Sequence, residues 1–124
     1  MRLLLDTHVY IWWHEDSPRL KPELRGQIAR AQLAHVSIVS AWEATIKASL
    51  DRLRIPESFE VSIDESGFRK LNLEFRHVER SLTLPWHHRD PFDRMLICQA
   101  MVENLTLVTG DRRIAPYGVP VIWA

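Results

Sequence analysis

The feature that most constrains the fold is a regular alternation of short apolar segments with longer amphipathic ones. Four segments are typical of buried β-strands: RLLLD (2–6), AHVSIVS (34–40), LTLVTGD (105–111) and VPVIWA (119–124). No Asn-Gly pair indicates a tight hairpin between them. Strands separated by helices form a mostly parallel sheet with helices on its faces, so the sequence predicts a three-layer α/β/α sandwich. At 124 residues, the chain fits one domain, 1–124.

Helical spacing of apolar residues marks most of the intervening chain. Helices are predicted over 8–16, 22–32, 40–53, 56–67, 74–82 and 91–104, and RKLNL (69–73) is a candidate third strand. Ser40 is the predicted N-cap of the third helix. The segment SAWE also fits a capping box, in which Glu43 reaches back to the Ser40 amide. Asp90 is the predicted N-cap of the last helix, and Pro91 suits its first position.

Composition indicates the cellular setting but favours no class of partner. Sixteen cations balance sixteen acids, so net charge favours no partner class. The single cysteine, Cys98, cannot form a disulfide within the chain and is expected in the core. No apolar run of membrane-spanning length and no leader pattern are apparent, so we expect a cytoplasmic protein without membrane contact.

Five acids fall where a parallel sheet binds ligands. Asp6 and Asp111 follow the first and fourth predicted strands, and Glu43 begins the helix after the second strand. Ligands of such sheets lie outside the carboxyl ends of the strands. Asp90 and Asp93 begin a helix that leads into a strand, so they reach the same edge only if the loop LPWHH (84–88) carries them there.

Most of these acids also have a local explanation. Glu43 fits the capping box, Asp90 and Asp93 suit a helix start, and Asp111 fits an ordinary turn. Asp6 has no such explanation, and an acid at a buried strand end needs a partner. Together, converging carboxylates repel one another and favour a hard divalent cation such as Mg²⁺. Without these five acids the chain has an excess of five cations, which suits a nucleic-acid substrate.

Three other kinds of site are weakly supported. A phospho-receiver-like signalling domain needs an acid after a central strand and a later strand-end lysine, and neither is present. A zinc site at His87, His88 and Asp90 would use adjacent histidines, which point in different directions. The four glycines are too far apart for a phosphate-binding loop. A non-catalytic interaction module stays open as an alternative.

Several motifs occur in the order and spacing of a known family: LLLDTHVYIWW, VSIVSAWEATIK, HHRDPFDRMLICQA, LTLVTGDRRI and YGVPVIW. The chain resembles the PIN-domain ribonucleases, specifically the VapC-type toxins of toxin–antitoxin systems, over nearly its whole length. The resemblance implies an α/β/α sandwich and a Mg²⁺- or Mn²⁺-dependent endoribonuclease that uses a metal-activated water. It also implies an RNA substrate, a cognate antitoxin and a homodimer.

The acidic quartet of that family matches Asp6, Glu43, Asp93 and Asp111. Asp90 is the extra acid of a subgroup, so either Asp90 or Asp93 is the metal ligand beside Asp6 and Asp111. The remaining candidates could orient water or metal, bind phosphates or contact an acid: Thr7, Thr109, Arg89, Arg94, Arg112 and His88. All five tryptophans are expected to be packed, with base stacking as the alternative for Trp86.

Overall fold

The computed structural model describes residues 1–55 and 58–124. Within these residues a five-stranded parallel sheet has the order β3-β2-β1-β4-β5. Its strands are β1 (Arg2–Leu5), β2 (Leu33–Ser37), β3 (Arg69–Leu71), β4 (Thr106–Thr109) and β5 (Val121–Trp123). The helices are α1 (Thr7–His14), α2 (Pro22–Arg30), α3 (Ile38–Ser49), α4 (Phe59–Glu65), α5 (Phe75–Arg80) and α6 (Pro91–Glu103). Two 3₁₀ helices span Ser81–Thr83 and Arg112–Tyr117.

Each face of the sheet carries its own apolar core, because side chains alternate along a strand. Leu3 and Leu5 of β1 pack with residues of α1, α2 and α4. Leu4, between them, packs on the opposite face with residues of α3 and α6, and α5 contacts α6 on that side. The sequence-based prediction of a three-layer α/β/α sandwich is therefore confirmed, and Cys98 is buried in the second core.

The strand order creates a ligand-binding edge between β1 and β4. From β1 the chain proceeds outward to β2 and β3, and then returns to place β4 on the other side of β1. In open α/β sheets, ligands bind outside the carboxyl ends of the strands at such a reversal. Doubly wound receiver domains instead have the order 2-1-3-4-5, so the fold contradicts the phospho-receiver alternative.

The boundary between β2 and α3 differs from the prediction. The strand ends at Ser37, and Ser37 caps α3 by accepting a hydrogen bond from the Val39 amide. Ser40 lies inside the first turn, and its buried hydroxyl has no hydrogen-bond partner among the residues that the structure describes. The predicted Ser40–Glu43 capping box is therefore wrong, and Glu43 is free to serve another purpose.

The other predicted helices and strands are present with shifted ends. The predicted helix over 56–67 is observed as Phe59–Glu65, while residues 56–57 of that prediction lie outside the described residues. In the described part of the chain, no helix combines the length and apolarity needed to cross a membrane.

Candidate active site

A cleft of about 330 Å³ opens at the carboxyl ends of β1 and β4. Its walls contain all five predicted acids, together with His8, Trp12, Lys47, Gly110 and Arg113. The side chain of Asp6 lies at its floor, only 8% exposed. Asp6 also caps α1, because its Oδ1 accepts a hydrogen bond from the Val9 amide at 2.8 Å.

Thr109 joins the two neighbouring strand ends. Its hydroxyl donates to Asp6 Oδ2 at 2.5 Å and accepts a hydrogen bond from the Asp111 amide at 3.1 Å. Thr7, at the start of α1, also binds a carboxylate of the cleft: its hydroxyl donates to Glu43 Oε1 at 2.6 Å. Both threonines are buried. They orient carboxylates, so the prediction that they bind substrate themselves is not supported by their position.

The loop before α6 brings the start of that helix to the cleft. Arg94 is buried and donates to the backbone carbonyls of Leu84, Pro85 and His88. The Tyr117 hydroxyl donates to Pro85 O at 2.7 Å and accepts from the His88 amide at 2.8 Å. These bonds hold the loop against the end of the sheet. The assumed placement of Asp90 and Asp93 at this edge is therefore correct.

Asp90 and Asp93 then have different surroundings. Asp90 Oδ1 accepts from the amides of Phe92 and Asp93 at 2.8 and 3.3 Å, so Asp90 is the N-cap of α6, as predicted. Asp93 Oδ2 faces His88 Nε2 at 3.1 Å, and Asp111 Oδ2 lies 2.9 Å from the same nitrogen. Ligand-type atoms of His88, Asp93 and Asp111 all lie within 4.8 Å of one another.

The tautomer of His88 follows from its other ring nitrogen. The Asp90 amide donates to His88 Nδ1 at 3.1 Å, and a backbone N–H can only donate. Nδ1 therefore carries a lone pair, and the ring proton is on Nε2. His88 donates this proton to Asp111 Oδ2, so it contacts the acids and does not offer Nε2 as a metal ligand.

The pKa values of three acids in the cleft are shifted in directions that their contacts explain. Burial, followed by repulsion from Asp90, Glu43, Asp6 and Asp111, raises the pKa of Asp93 to about 8. Burial also raises the pKa of Asp6, against the opposing effect of its hydrogen bond from Thr109. Hydrogen bonds from Arg113 and His88 hold the pKa of Asp111 well below its usual range.

The sequence of the chain matches the PIN domain over residues 3–119. The chain belongs to the PIN domain family. A curated relative of this PIN domain, Ribonuclease VapC22 of Mycobacterium tuberculosis (strain ATCC 25618 / H37Rv), is 27% identical over 121 residues, covering 95% of this chain and 93% of the relative.

Solved structures share the fold of this PIN domain. VapBC2 from Rickettsia felis, bound to a promoter DNA fragment, has a TM-score of 0.75 at 14% identity, covering 100% of this chain and 99% of that one. FitAcB from Neisseria gonorrhoeae has a TM-score of 0.68 at 16% identity, covering 97% and 96%. At these identities the likeness concerns the fold alone.

Two cations of the PIN domain cleft were missed by the sequence analysis. Lys47 Nζ lies 2.8 Å from Glu43 Oε2, one helical turn further along α3. Arg113 donates from Nε and a terminal nitrogen to the two oxygens of Asp111, at 2.9 and 2.8 Å. The i,i+4 spacing of Glu43 and Lys47 is a signal that the sequence did offer.

The three candidate phosphate-binding arginines have different positions. Arg94 is buried in the loop clamp and stacks on Trp86, with 3.6 Å between guanidinium carbon and ring centroid, a position that does not favour the predicted phosphate contact. Arg89 is exposed. Arg112 is exposed as well and stacks on Trp123.

The expectation that all five tryptophans are packed is wrong for two of them. Trp42 is 60% exposed and Trp86 is 74% exposed. Trp42 packs edge-on against Phe92, with ring centroids 5.2 Å apart.

A second group of ligand-type atoms lies away from the cleft, at Glu74, His77 and Glu103. The Glu74 amide donates to His77 Nδ1 at 3.0 Å, so the proton is on Nε2, which faces Glu103 at 2.8 Å. Arg76 pairs with both glutamates. The group is therefore an ion-pair network that caps α5, and its donors are already matched to its acceptors.

Proposed function

We propose that this chain is the endoribonuclease toxin of a toxin–antitoxin pair and hydrolyses RNA phosphodiester bonds with Mg²⁺, or with Mn²⁺ in its place. The observation that carries the proposal is the convergence of Asp6, Glu43, Asp93 and Asp111 in one cleft. Membership of the PIN family and similarity to a protein named Ribonuclease VapC22 support the same activity.

The donor set of the cleft fits a hard divalent cation. Carboxylate oxygens are the ligands that Mg²⁺ takes, and Mg²⁺ keeps further positions for water and substrate phosphate. Burial and then repulsion between the acids raise the pKa of Asp93 to about 8, and a cation would offset both effects. We assign Asp6, Asp93 and Asp111 as the residues that would hold the ion, and leave Asp90 its capping role. When bound, the ion supplies positive charge to the phosphate and acidifies water.

The remaining residues of the cleft position these carboxylates. Thr109 fixes Asp6, and the Nε2–H of His88 donates to Asp111 and lies beside Asp93. Thr7 and Lys47 each bind one oxygen of Glu43. These two bonds hold Glu43 at the wall of the cleft, with its Oε2 against Lys47 Nζ. Such support matters because catalytic groups must be held within fractions of an ångström.

The decisive experiment compares Asp6→Asn with the wild type for RNA cleavage and for Mn²⁺ binding by calorimetry. The amide oxygen can still accept from the Val9 amide, so the cap of α1 is retained. We expect cleavage to fall by more than the roughly 10–100-fold that follows the loss of an outer-shell partner, and Mn²⁺ binding to weaken. Asp64→Asn, an exposed change on α4, is the matched control. Full activity of Asp6→Asn in EDTA-treated buffer would end the proposal.

The products distinguish this reaction from cleavage by the RNA's own 2′-hydroxyl. Water as the attacking group needs no 2′-hydroxyl. Fragments should therefore have 5′-phosphate and 3′-hydroxyl ends, and a substrate with one 2′-deoxy nucleotide at the scissile position should still be cut. Recovery of 2′,3′-cyclic phosphate ends that persist in EDTA would contradict the hydrolytic reaction.

We also propose a homodimer, supported by an uncharged apolar stripe on α3. Ile38, Trp42, Ile46 and Leu50 follow at four-residue intervals and are 54%, 60%, 37% and 57% exposed. An apolar stripe of this kind suits a symmetric contact with a second copy. Light scattering should report a dimer that Ile46→Glu dissociates. Val61→Glu, at an exposed residue of the opposite layer, should leave it intact, and a wild-type monomer at micromolar concentration would refute the dimer.

The second expected partner is an antitoxin. Solved structures of similar fold include a toxin–antitoxin complex from Klebsiella pneumoniae, with a TM-score of 0.66 at 20% identity. The acidic cleft would accept a basic antitoxin side chain by charge-assisted hydrogen bonds. Co-expression with a small DNA-binding protein encoded beside this chain should yield a complex with suppressed cleavage. A neighbouring protein that neither binds nor inhibits would count against the pairing.

A further inference from the structure

The carboxylate of Asp111 has no free acceptor site in the metal-free protein. Its Oδ1 accepts from the Arg113 amide at 3.0 Å and from Arg113 Nε at 2.9 Å. Its Oδ2 accepts from an Arg113 terminal nitrogen at 2.8 Å and from His88 Nε2 at 2.9 Å. A carboxylate has about four lone-pair positions. Asp111 can therefore bind a cation directly only if one of these donors withdraws.

The donor that withdraws most easily is the guanidinium of Arg113. The side chain of His88 is 1% exposed, whereas that of Arg113 is 69% exposed. Exposed ion pairs contribute about 1 kcal/mol or less. The backbone bond from the Arg113 amide to Asp111 Oδ1 does not depend on the side chain, so a released guanidinium stays attached at the rim of the cleft.

The chemistry of the guanidinium indicates what it binds next. Arg113 already binds two carboxylate oxygens with two parallel N–H donors, and phosphate oxygens accept the same fork. Building on the nuclease function proposed above, we propose that Arg113 occupies Asp111 in the metal-free protein and transfers to a substrate phosphate when the cation and RNA bind. It is therefore a phosphate-binding residue that also competes with the cation for Asp111.

The first test is Mn²⁺ affinity measured by calorimetry without RNA. Arg113→Ala should bind Mn²⁺ about fivefold more tightly than wild type, the factor that corresponds to an exposed ion pair. Arg112→Ala removes the same charge one residue earlier, where the guanidinium stacks on Trp123. This control measures the effect of charge alone, and we expect less than a twofold change from it. Equal affinities for Arg113→Ala and Arg112→Ala would overturn the competition.

The second test is RNA binding with Ca²⁺ in place of Mg²⁺, by fluorescence anisotropy of a labelled single-stranded RNA of mixed sequence. Arg113→Ala should bind this RNA several-fold more weakly, and the slope of log K against log salt concentration should fall by about 0.7, the value for one phosphate contact. Arg113→Lys keeps the charge and loses the fork, so it should retain the slope while binding Mn²⁺ more tightly than wild type. An unchanged slope in Arg113→Ala would overturn the phosphate role.

The outcomes separate this inference from the proposed function. A wild type that neither binds Mn²⁺ nor cleaves RNA would refute the nuclease itself. A wild type that does both, with Arg113→Ala and Arg112→Ala alike in Mn²⁺ affinity and with an unchanged RNA slope in Arg113→Ala, would refute only the role of Arg113. Arg113 is exposed, so we expect its variants to have the melting temperature of the wild type, and a thermal melting curve of each variant checks this.

Discussion

The clearest quantitative consequence of the acidic cleft is the response of Asp93→Asn to pH. In the unfolded chain Asp93 ionises near 3.8, whereas in the metal-free fold burial and four neighbouring acids raise its pKa to about 8. Between these values the folded state holds a proton that the unfolded state has lost. Stability therefore falls as pH rises through this window and levels off above pH 8.

The size of the effect follows from the shift. About 4 pKa units at 1.36 kcal/mol each give a loss on the order of 5 kcal/mol across the window, and the Asp93 side chain is only 17% exposed. Asparagine keeps the shape and does not titrate. The variant should therefore be more stable than wild type by about 1–2 kcal/mol at pH 5, and by several kcal/mol at pH 9. Asp111 titrates below this window, because its pKa is lowered.

Urea denaturation in EDTA at pH 5, 7 and 9 measures the difference, with Asp51→Asn as the control. Asp51 is exposed and has a positive φ of 55°, a conformation that asparagine tolerates. Saturating Mg²⁺ should then stabilise the wild type, by about 2.7 kcal/mol at 100 times Kd, and Asp93→Asn much less. Parallel stability curves for the two proteins from pH 5 to pH 9 would refute the idea that Asp93 carries the repulsion of the cleft.

Three further predictions concern the parts that hold the cleft in place. Asp90→Ser keeps an N-cap and should change stability little, whereas Asp90→Ala should cost about 1 kcal/mol in urea denaturation. Arg94→Ala removes the arginine donor from the buried carbonyl groups of Leu84 and His88, while Pro85 keeps its bond from the Tyr117 hydroxyl. It should cost about 2–4 kcal/mol, and a variant as stable as wild type would contradict the loop clamp. Ser37→Ala should cost about 1 kcal/mol through loss of the α3 cap. Ser40→Ala removes a hydroxyl that has no partner among the described residues, so it should be neutral or stabilising by thermal melting. The reverse order would contradict the observed start of α3.

Much of the fold could be predicted because its signals are local. Apolar runs and helical spacing place the strands and helices, and their alternation leads to the layered sheet. The end of β2 could not be placed this way. Ile38 and Val39 extend the apolar run, although both belong to α3, in which Val39 is buried and Ile38 is 54% exposed. A run of apolar residues does not tell whether the backbone has already turned into a helix.

The acids of the site were predictable, and their partners were less so. Asp6 and Asp111 follow strands, and the carboxyl ends of parallel strands share one edge. The role of Arg94 depends on carbonyl groups of the loop before α6, and the path of that loop is set by tertiary contacts. An arginine that clamps a loop and one that faces solvent look alike in sequence. Asp111 and Arg113 are only two residues apart, yet their pairing depends on the turn after β4.

The same partners offset part of the charge of the cleft before any cation binds. Lys47 pairs with Glu43, Arg113 pairs with Asp111, and His88 donates its ring proton to Asp111. Asp93 has the weakest support, because His88 Nε2, 3.1 Å away, donates to Asp111 instead and burial works against the charge of Asp93. The cleft therefore folds with its least supported acid protonated, and a cation that displaces this proton gains a ligand. Cation affinity should accordingly rise with pH between about 6 and 8, as Asp93 becomes easier to ionise. Calorimetry of Mn²⁺ binding at pH 6, 7 and 8 would show this rise in the wild type, and a pH-independent affinity would mean that Asp93 does not ligate the cation.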